Sequence, residues 1–578
     1  MPEELLHLST IFRPENVFTT VAEAAELRDL TGLELAELTV FKPHRLALHE
    51  LLVRVTANIA VPDGSRIEDL GINFRRITRV ILERHVAPHM GAIEVLYDAS
   101  RQRIGQVIAP EVHALHAERT ASSPPHAARR GLLGFIRRAR PDPDPSDAAP
   151  GRELRLVQDW ERKARSSGSA VERAAYRSLA RVVAALLTRH GALWASHDLI
   201  ASLAGDLACN SFASEEIGTL IAPLVAEAAR VEGYVILPRQ EQPVVMNTKG
   251  ASASGKSTLR PLQKALAGHI GVNWADFALI SPDIWRKQLL DYASLGAAYK
   301  YGGAFTGEEV QIVDQKLDRY MARKAERGDM SHLLIDRFRF DSFAADSDEA
   351  GSNLLTRFGQ TVYLFFMITS PASLVERAWN RGLEVGRYKA VDDTLAHAVE
   401  AYSGMPHVFF TWIQRSDKNV HFEFLDNNVA QGQPPRTVAF GSNDTLNVLD
   451  VKRLLDVQRY RKVNAAATSS AALYVDCESL AAERNAGFLK QCVERFDHVN
   501  VADQETGQVY LRLLAGSAVW KDRVLLDRAG ADPDVRAGLL AMVPSVFDLA
   551  LPAPEARVVL RAQHGTEEIH TLGEWGRG

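Results

Sequence analysis

Cysteine is scarce in this chain. There are three in 578 residues, Cys209, Cys477 and Cys492, with no CxxC pair and no metal-like spacing. That argues against a disulfide framework and against a cysteine-ligated metal centre. Long apolar runs are also lacking, and no stretch approaches the length of a membrane span. The opening residues Met1 to His7 carry neither a basic segment nor an apolar one of the kind a secretory leader needs. Together these absences predict a cytoplasmic protein with no transmembrane segment. A basic surplus is missing too: 67 Lys and Arg stand against 72 Asp and Glu, a net charge of −5. Nucleic acid is therefore a possible but disfavoured partner, reachable only through a local basic groove. No internal repeat is evident. The composition that remains, 46% hydrophobic and 24% charged, is globular, and the length suggests about three or four domains.

One run stands out: Gly250-Ala251-Ser252-Ala253-Ser254-Gly255-Lys256-Ser257, followed by Thr258. It fits the phosphate-binding loop pattern G-x-x-x-x-G-K-[ST]. The glycines permit backbone angles closed to other residues. Loop N–H groups and the start of the next helix can then cradle phosphate oxygens. Lys256 would reach the β- and γ-phosphates of ATP, and the Ser257 hydroxyl would hold Mg²⁺. The context agrees, with an apolar strand at Pro243 to Met246 before the loop and a helix from Thr258 to Leu266 after it.

Around this core the chain divides into regions. Residues 1–116 mix helical and strand-like patterns and predict an α+β domain. Within them Lys42, His44, Arg45, His49 and Arg54 read chiefly as the solvated face of an amphipathic helix, with an anion site as the alternative. Residues 117–152 are a Pro/Arg-rich linker, with a basic segment at Arg129 to Arg140 suited to a docking patch or an anionic membrane. Residues 153–235 predict a helical domain, and residues 236–465 the domain of the phosphate loop. Residues 470–578 predict a small α/β domain, with strands at Ala472 to Asp476 and Arg523 to Asp527 and a helix at Ser479 to Phe496. No protein partner of the flanking regions can be named from sequence.

Behind the loop lie the parts that phosphoryl transfer requires. Phe277 to Asp283 is an apolar strand running into a carboxylate. Asp283 is placed as a general base for a hydroxyl, or as the cap of the helix that follows. Arg286, one turn on, is a candidate substrate contact. Ser331 to Asp336 is a second such strand, and Asp336 is placed to hold Mg²⁺ opposite Ser257. Arg337 and Arg339 alternate with Phe338 and Phe340. They either clamp an anionic substrate or form a polar face over a buried pair. Thr361 to Ile368 suits a strand buried on both faces. The helix after it carries Arg377, Arg381 and Arg387, read as a lid hinged by Gly382 and Gly386 that stabilises the transferring group. The Asp426-Asn427-Asn428 turn is a place where adenine could be contacted.

This series resembles the zeta-toxin-type P-loop kinases over residues 236–465, with the loop as its specific element. The resemblance implies a parallel sheet flanked by helices, ATP and Mg²⁺ bound by Lys256 and Ser257, Asp283 as the base, and Arg377, Arg381 and Arg387 as phosphate-stabilising groups. Toxins of that family phosphorylate a 3′-hydroxyl of a UDP-amino sugar. This chain is longer, and has Asp336-Arg337 where those toxins usually show Glu-Gly-Thr. The expectation is an ATP-dependent kinase acting on a hydroxyl of an anionic small molecule such as a nucleotide sugar. The alternatives are a polynucleotide 5′-hydroxyl kinase and an ATP-gated regulatory or assembly protein.

Overall fold

The computed structural model describes residues 3–121, 150–337, 354–560 and 571–576. Most of the expected linker, including its basic segment, lies outside the described residues. So do Arg339 and both phenylalanines flanking it.

Up to residue 235 the described residues are mainly helical. It forms α1 (Val21–Thr31), α2 (Pro43–Asn58), α3 (Asp69–Ile81) and α4 (Met90–Ala121), then α5 (Pro150–Ser166), α6 (Ala170–His190), α7 (His197–Ala208) and α8 (Ser214–Glu232). α4 packs on α6, α7 and α8, and α2 packs on α8, so residues on both sides of the linker share one bundle. Before residue 235 the described β-pairing is confined to the isolated bridges Val17–Phe41 and Ile59–Ile236. The expected α+β character of the first region is thus corrected to helical. Local signals favour that outcome: Thr20 and Glu23 form a capping box at the start of α1, and Pro43 sits at the first position of α2.

α2 overturns a second expectation. Arg45, His49 and Arg54 are buried, not solvated. The helix is sandwiched between α8 on one side and, on the other, the sheet and α12 (Gly307–Glu326). Its polar groups therefore meet partners instead of water. Arg45 donates to both oxygens of Glu309 (2.5 and 2.7 Å), and His49 Nε2 donates to Glu309 Oε1 (2.6 Å). Lys316 donates to His49 Nδ1 (3.2 Å) and to Ser214 Oγ (2.7 Å), and Ser214 donates to Glu50 (2.6 Å). Arg54 closes the chain on Glu50 at 2.5 Å. A buried network of this kind is tolerable only when its members are satisfied.

After residue 235 the described residues build a ten-stranded sheet, in the order β10-β9-β8-β7-β6-β5-β4-β1-β3-β2. β1 (Val244–Lys249), β2 (Phe277–Ile280), β3 (His332–Asp336), β4 (Thr361–Ile368) and β5 (Asn419–Asp426) are mutually parallel. Their near-continuous apolar sequences suit burial on both faces. α9 (Arg260–His269), the short α10 (Arg286–Leu289) and α11 (Gly302–Phe305), α12, α13 (Pro371–Val385) and α14 (Val391–Ile413) connect them. The carboxyl ends of all five strands fall on one edge, where the crevice of such a sheet binds ligands.

The sheet does not stop there. β6 (Arg436–Ser442) and β7 (Thr445–Val448) continue it antiparallel, and β8 (His498–Ala502) joins β7 in parallel. β9 (Val509–Leu514) and β10 (Ser517–Lys521) form a terminal hairpin. Ala515 and Gly516 both have positive φ there, as its two-residue turn requires. Residues expected as a separate C-terminal domain therefore extend the sheet of the phosphate loop. α15 (Val451–Tyr460), α16 (Gly487–Arg495) and α18 (Pro533–Met542) pack on one another beside it, with α17 (Arg523–Ala529) against β9.

Two expected strands are absent. Arg523 to Asp527 lies in α17, because Asp522 caps it by accepting from the Leu525 N–H at 3.1 Å. Ala472 to Asp476 is irregular, its carbonyls at 472 and 473 bonded to Asn464 rather than to a ladder. The helix expected from Ser479 begins at Gly487. Residues 572 and 573 return to the sheet: their N–H groups donate to buried Glu423 of β5 at 2.7 and 2.9 Å, and Thr437 adds a third bond at 2.7 Å. Burial outweighs these donors and pushes the Glu423 carboxyl up to about 7.

His49 supplies a pH-dependent part of stability. Burial first, then the Lys316 charge, lowers it from 6.5 to about 4 against the pull of Glu309. The folded protein keeps it neutral while the unfolded chain protonates it, so its contribution is complete above about pH 6.5 and lost as pH falls toward 4. Urea unfolding should show wild type losing about 2–3 kcal/mol between pH 6.5 and 4.5 from this group. A His49→Gln variant should lose correspondingly less over that window, and equal losses in the two proteins would refute the assignment.

Candidate active site

β1 delivers the chain into the loop at the point where it is flanked by β3 and β4. Thr248 is registered beside Asp336, and Lys249 beside Phe366. The loop then folds tightly. Ala253 and Gly255 have φ of 65° and 92°. A Cβ on Gly250 would lie 2.8 Å from Met367 Cβ of β4, and one on Gly255 would lie 2.3 Å from Asn427 Nδ2. Asn427 Nδ2 and Thr369 Oγ1 both donate to the Ser254 carbonyl, at 2.7 and 3.3 Å. The ends of β4 and β5 thus hold the loop from beneath. Asn427, expected near an adenine, is a buried buttress of the loop instead. Lys256 opens a short 3₁₀ turn leading into α9, and Pro261 is tolerated in that first turn.

The expected metal pair comes together. Ser257 Oγ donates to Asp336 Oδ2 at 2.7 Å. Mg²⁺ keeps most of its waters and takes one or two carboxylates plus phosphate oxygens, so this donor set fits it. Among the described residues no group of three or more His, Cys, Asp or Glu forms a metal cluster. Lys256 Nζ donates to the carbonyls of Gly250 and Ala251 at 3.1 and 3.2 Å. Burial presses its pKa below the ordinary value, against Asp336 and Asp283.

Asp283 sits past the end of β2, in a 3₁₀ turn at Pro282–Trp285, and its side chain is 41% exposed. It accepts from Arg286 Nε at 2.7 Å and pairs with Arg387 Nη2. Its packed surroundings would raise its pKa, but Arg387, Arg286 and Arg381 outweigh them and hold it far below the usual carboxylate range. Arg381 donates to Ser252 Oγ (3.2 Å) and to the Arg387 carbonyl (3.3 Å). Burial, then the like charge of Arg387, brings Arg381 down to about 10. These groups line a cleft of about 500 Å³ together with Lys256 and Asp336.

Three arginines behave otherwise than expected. Arg377 points away from the cleft and donates to the Asn427 carbonyl at 2.6 Å, fastening the loop after β5. Arg286 is committed: besides Asp283 it holds Gly303 O (2.6 Å) and Thr306 Oγ1 (2.9 Å), so it ties Asp283 to the α11 segment. Arg337 lines the cleft but is buried between Asp314 (2.6 Å) and Asp318 (2.5 Å) of α12, which takes its guanidinium out of the expected clamp. The two lid glycines also divide in role. Gly386 ends α13 in the left-handed region, while Gly382 is where Tyr388 packs, 2.6 Å from a would-be Cβ.

Several cleft residues escaped sequence reasoning. α12 contributes Glu308, Gln311 and Asp314, and the stretch before α14 contributes Tyr388 and Lys389. No local motif marks α12, whose role follows only from its packing. Lys249, the last residue of β1, is fully buried and brought down to about 7 by burial and by its neighbours Arg337 and Lys256. Its place directly before Gly250 was the available signal.

Compared with protein-family models and with curated proteins, the chain matches none. Among solved structures it is similar in part to the AvrRxo1-ORF1:-ORF2 complex with ATP, at 14% identity and a TM-score of 0.28, over 40% of this chain and 66% of that one. The native AvrRxo1-ORF1:-ORF2 complex gives 15% identity and 0.28, over 46% and 73%. The PezAT chromosomal toxin-antitoxin system of Streptococcus pneumoniae gives 15% and 0.23, over 33% and 72%. Likeness this partial carries no conclusion about activity, acceptor or partners.

The strained loop makes a specific stability prediction. Gly255→Ala places a side chain in the left-handed region, at about 1–2 kcal/mol, and also drives Cβ into Asn427. Urea unfolding should register a loss of about 2 kcal/mol or more. In an Asn427→Ala background the same substitution should cost at least about 1 kcal/mol less, because the collision is gone and only the backbone strain remains. Equal penalties in both backgrounds would contradict this geometry.

Proposed function

We propose that the chain is an ATP-dependent phosphotransferase whose acceptor is a hydroxyl of an anionic small molecule, such as a nucleotide sugar. The observation that carries this reading is the convergence, on one cleft at the carboxyl edge of a parallel sheet, of a phosphate loop, the Ser257–Asp336 pair at 2.7 Å, and Asp283 flanked by Arg381 and Arg387. The loop N–H groups and Lys256 would bind the triphosphate of ATP. Ser257 and Asp336 would hold Mg²⁺, which supplies charge neutralisation at the β- and γ-oxygens.

The chemistry then falls to Asp283 and the arginines. Asp283 accepts the proton of the acceptor hydroxyl, whose oxygen bonds the γ-phosphorus as the bond to the departing ADP oxygen breaks. With its pKa held so low, Asp283 is ionised throughout the working pH range, so it is always ready to accept but binds a proton weakly. Phosphoryl transfer tolerates a weak base, since positioning and charge stabilisation dominate. Arg387 is shared. Without an anion it pairs with Asp283; a bound triphosphate offers it a stronger partner and frees the carboxylate for the acceptor. Arg381, crowded by Arg387, favours the same anion. An anionic acceptor is supported by the cationic side chains Arg381, Arg387 and Lys389 along the cleft wall.

Labelled ATP and Mg²⁺ with pools of nucleotide sugars, free sugars and RNA 5′-hydroxyl ends test this directly. Transfer to the nucleotide-sugar pool is expected. Asp283→Asn should cut it by about 10²–10⁴-fold while ATP affinity holds, and Lys256→Ala should abolish tight ATP binding. Transfer unaffected by Asp283→Asn removes that residue's role. ATP affinity unchanged by Lys256→Ala removes the whole reading.

A further inference from the structure

A second cleft, of about 480 Å³, lies on the far flank of α12, between that helix and α6. Its walls carry Arg173, Arg177, Arg319, Arg323 and Arg357. The carboxylates among them are too few to match. Asp318 is taken by Arg337 at 2.5 Å. Glu215 serves both Arg319 (3.8 Å) and Arg323 (3.0 Å). Glu326 makes no ion pair with these arginines among the described residues. Arg177 has no hydrogen bond or ion pair among the described residues, and Arg173 holds only the Ser167 carbonyl. Guanidinium groups from three segments of chain thus converge without sufficient counter-charge.

The cost is visible at Arg319. Burial lowers its pKa most; Glu215 and then Glu50 oppose this, and the like charges of Arg177 and Arg323 add to the lowering, so it stays below its ordinary value. Ala170, the first residue of the 21-residue α6, also lines this cleft. The cap residue Ser169 makes no side-chain capping bond, and the positive end of that helix adds to the same field, offset in part by Glu172 of its first turn. Guanidinium forks, an uncapped helix start and a concave wall together match phosphate oxygens.

We infer that this second cleft binds a small anion bearing two or more phosphate groups, separately from the phosphate loop. Its volume suits one small molecule, and its walls come from α6 and α12 on two sides.

Inorganic tripolyphosphate is the probe, measured by calorimetry on the 578-residue Lys256→Ala chain, whose phosphate loop should no longer retain phosphate. One tripolyphosphate per chain is expected to bind. Arg177→Glu, an exposed change that breaks no described contact, should weaken it at least about tenfold and flatten its salt dependence. Arg155→Glu, elsewhere on the surface, should leave it intact. No binding by the Lys256→Ala chain, or binding indifferent to Arg177→Glu, overturns the inference. Equal weakening by Arg155→Glu overturns it as well, since it would show diffuse surface attraction. Arg177-dependent binding of a short RNA without tripolyphosphate binding would replace it with a nucleic-acid site.

Discussion

A carboxylate with no access to water holds the two halves of this molecule together. Glu309 of α12 is fully buried, and an unpaired charge there would cost several kcal/mol. Arg45 and His49 of α2 meet it, and Lys316 continues the chain into α8 through Ser214. These directional bonds fix the rotation of α12 about its axis. Everything else that the helix presents follows from that rotation. Glu308, Gln311 and Asp314 face the candidate active site, and Asp318, Arg319 and Arg323 face the second cleft. The bundle before residue 235 is therefore part of how the site is shaped.

At the site itself the governing tension is electrostatic. Lys249, Lys256, Arg381 and Arg387 crowd a small volume, and burial presses the first three below their ordinary values. Asp283 and Asp336 oppose that charge at Lys256, and Asp314 and Asp336 oppose it at Lys249. The backbone carries its own strain through the positive φ at Ala253, borne by the buttress of Thr369 and Asn427. A phosphate chain bound there would pair with these cations and accept bonds from the loop at once. That is why a strained loop and a cationic cluster belong together.

Much of this was legible in the chain. The loop pattern, the apolar strands ending near Asp283 and Asp336, and the buried run from Thr361 to Ile368 all follow from local spacing, and the structure brings them to one edge. What was not legible depends on packing. The charged positions of α2 have the spacing of a wet face, and only the presence of α12 opposite makes them a buried network. Arg377 and Arg381 are one helical turn apart, yet one fastens a neighbouring loop while the other faces the cleft. Arg523 to Asp527 is too short an apolar run for its period to separate strand from helix. The continuation of the sheet through β10 rests on pairing between β7 and β8, which lie about fifty residues apart in sequence.

The bonds from Leu572 and Gly573 to Glu423 have a temporal meaning. In sequence 149 residues separate Leu572 from its acceptor, an interval of roughly 10–30 s at ordinary rates of synthesis. During that time a nascent chain already contains the phosphate loop, its partner strands and Asp283. It still lacks the segment that covers β5, two strands from the loop. Glu423, with only Thr437 to meet it, stays poorly satisfied until translation passes residue 573. The sheet can therefore settle fully only once residue 573 has been made, so products truncated before it would bear the phosphate-loop motif without its full support.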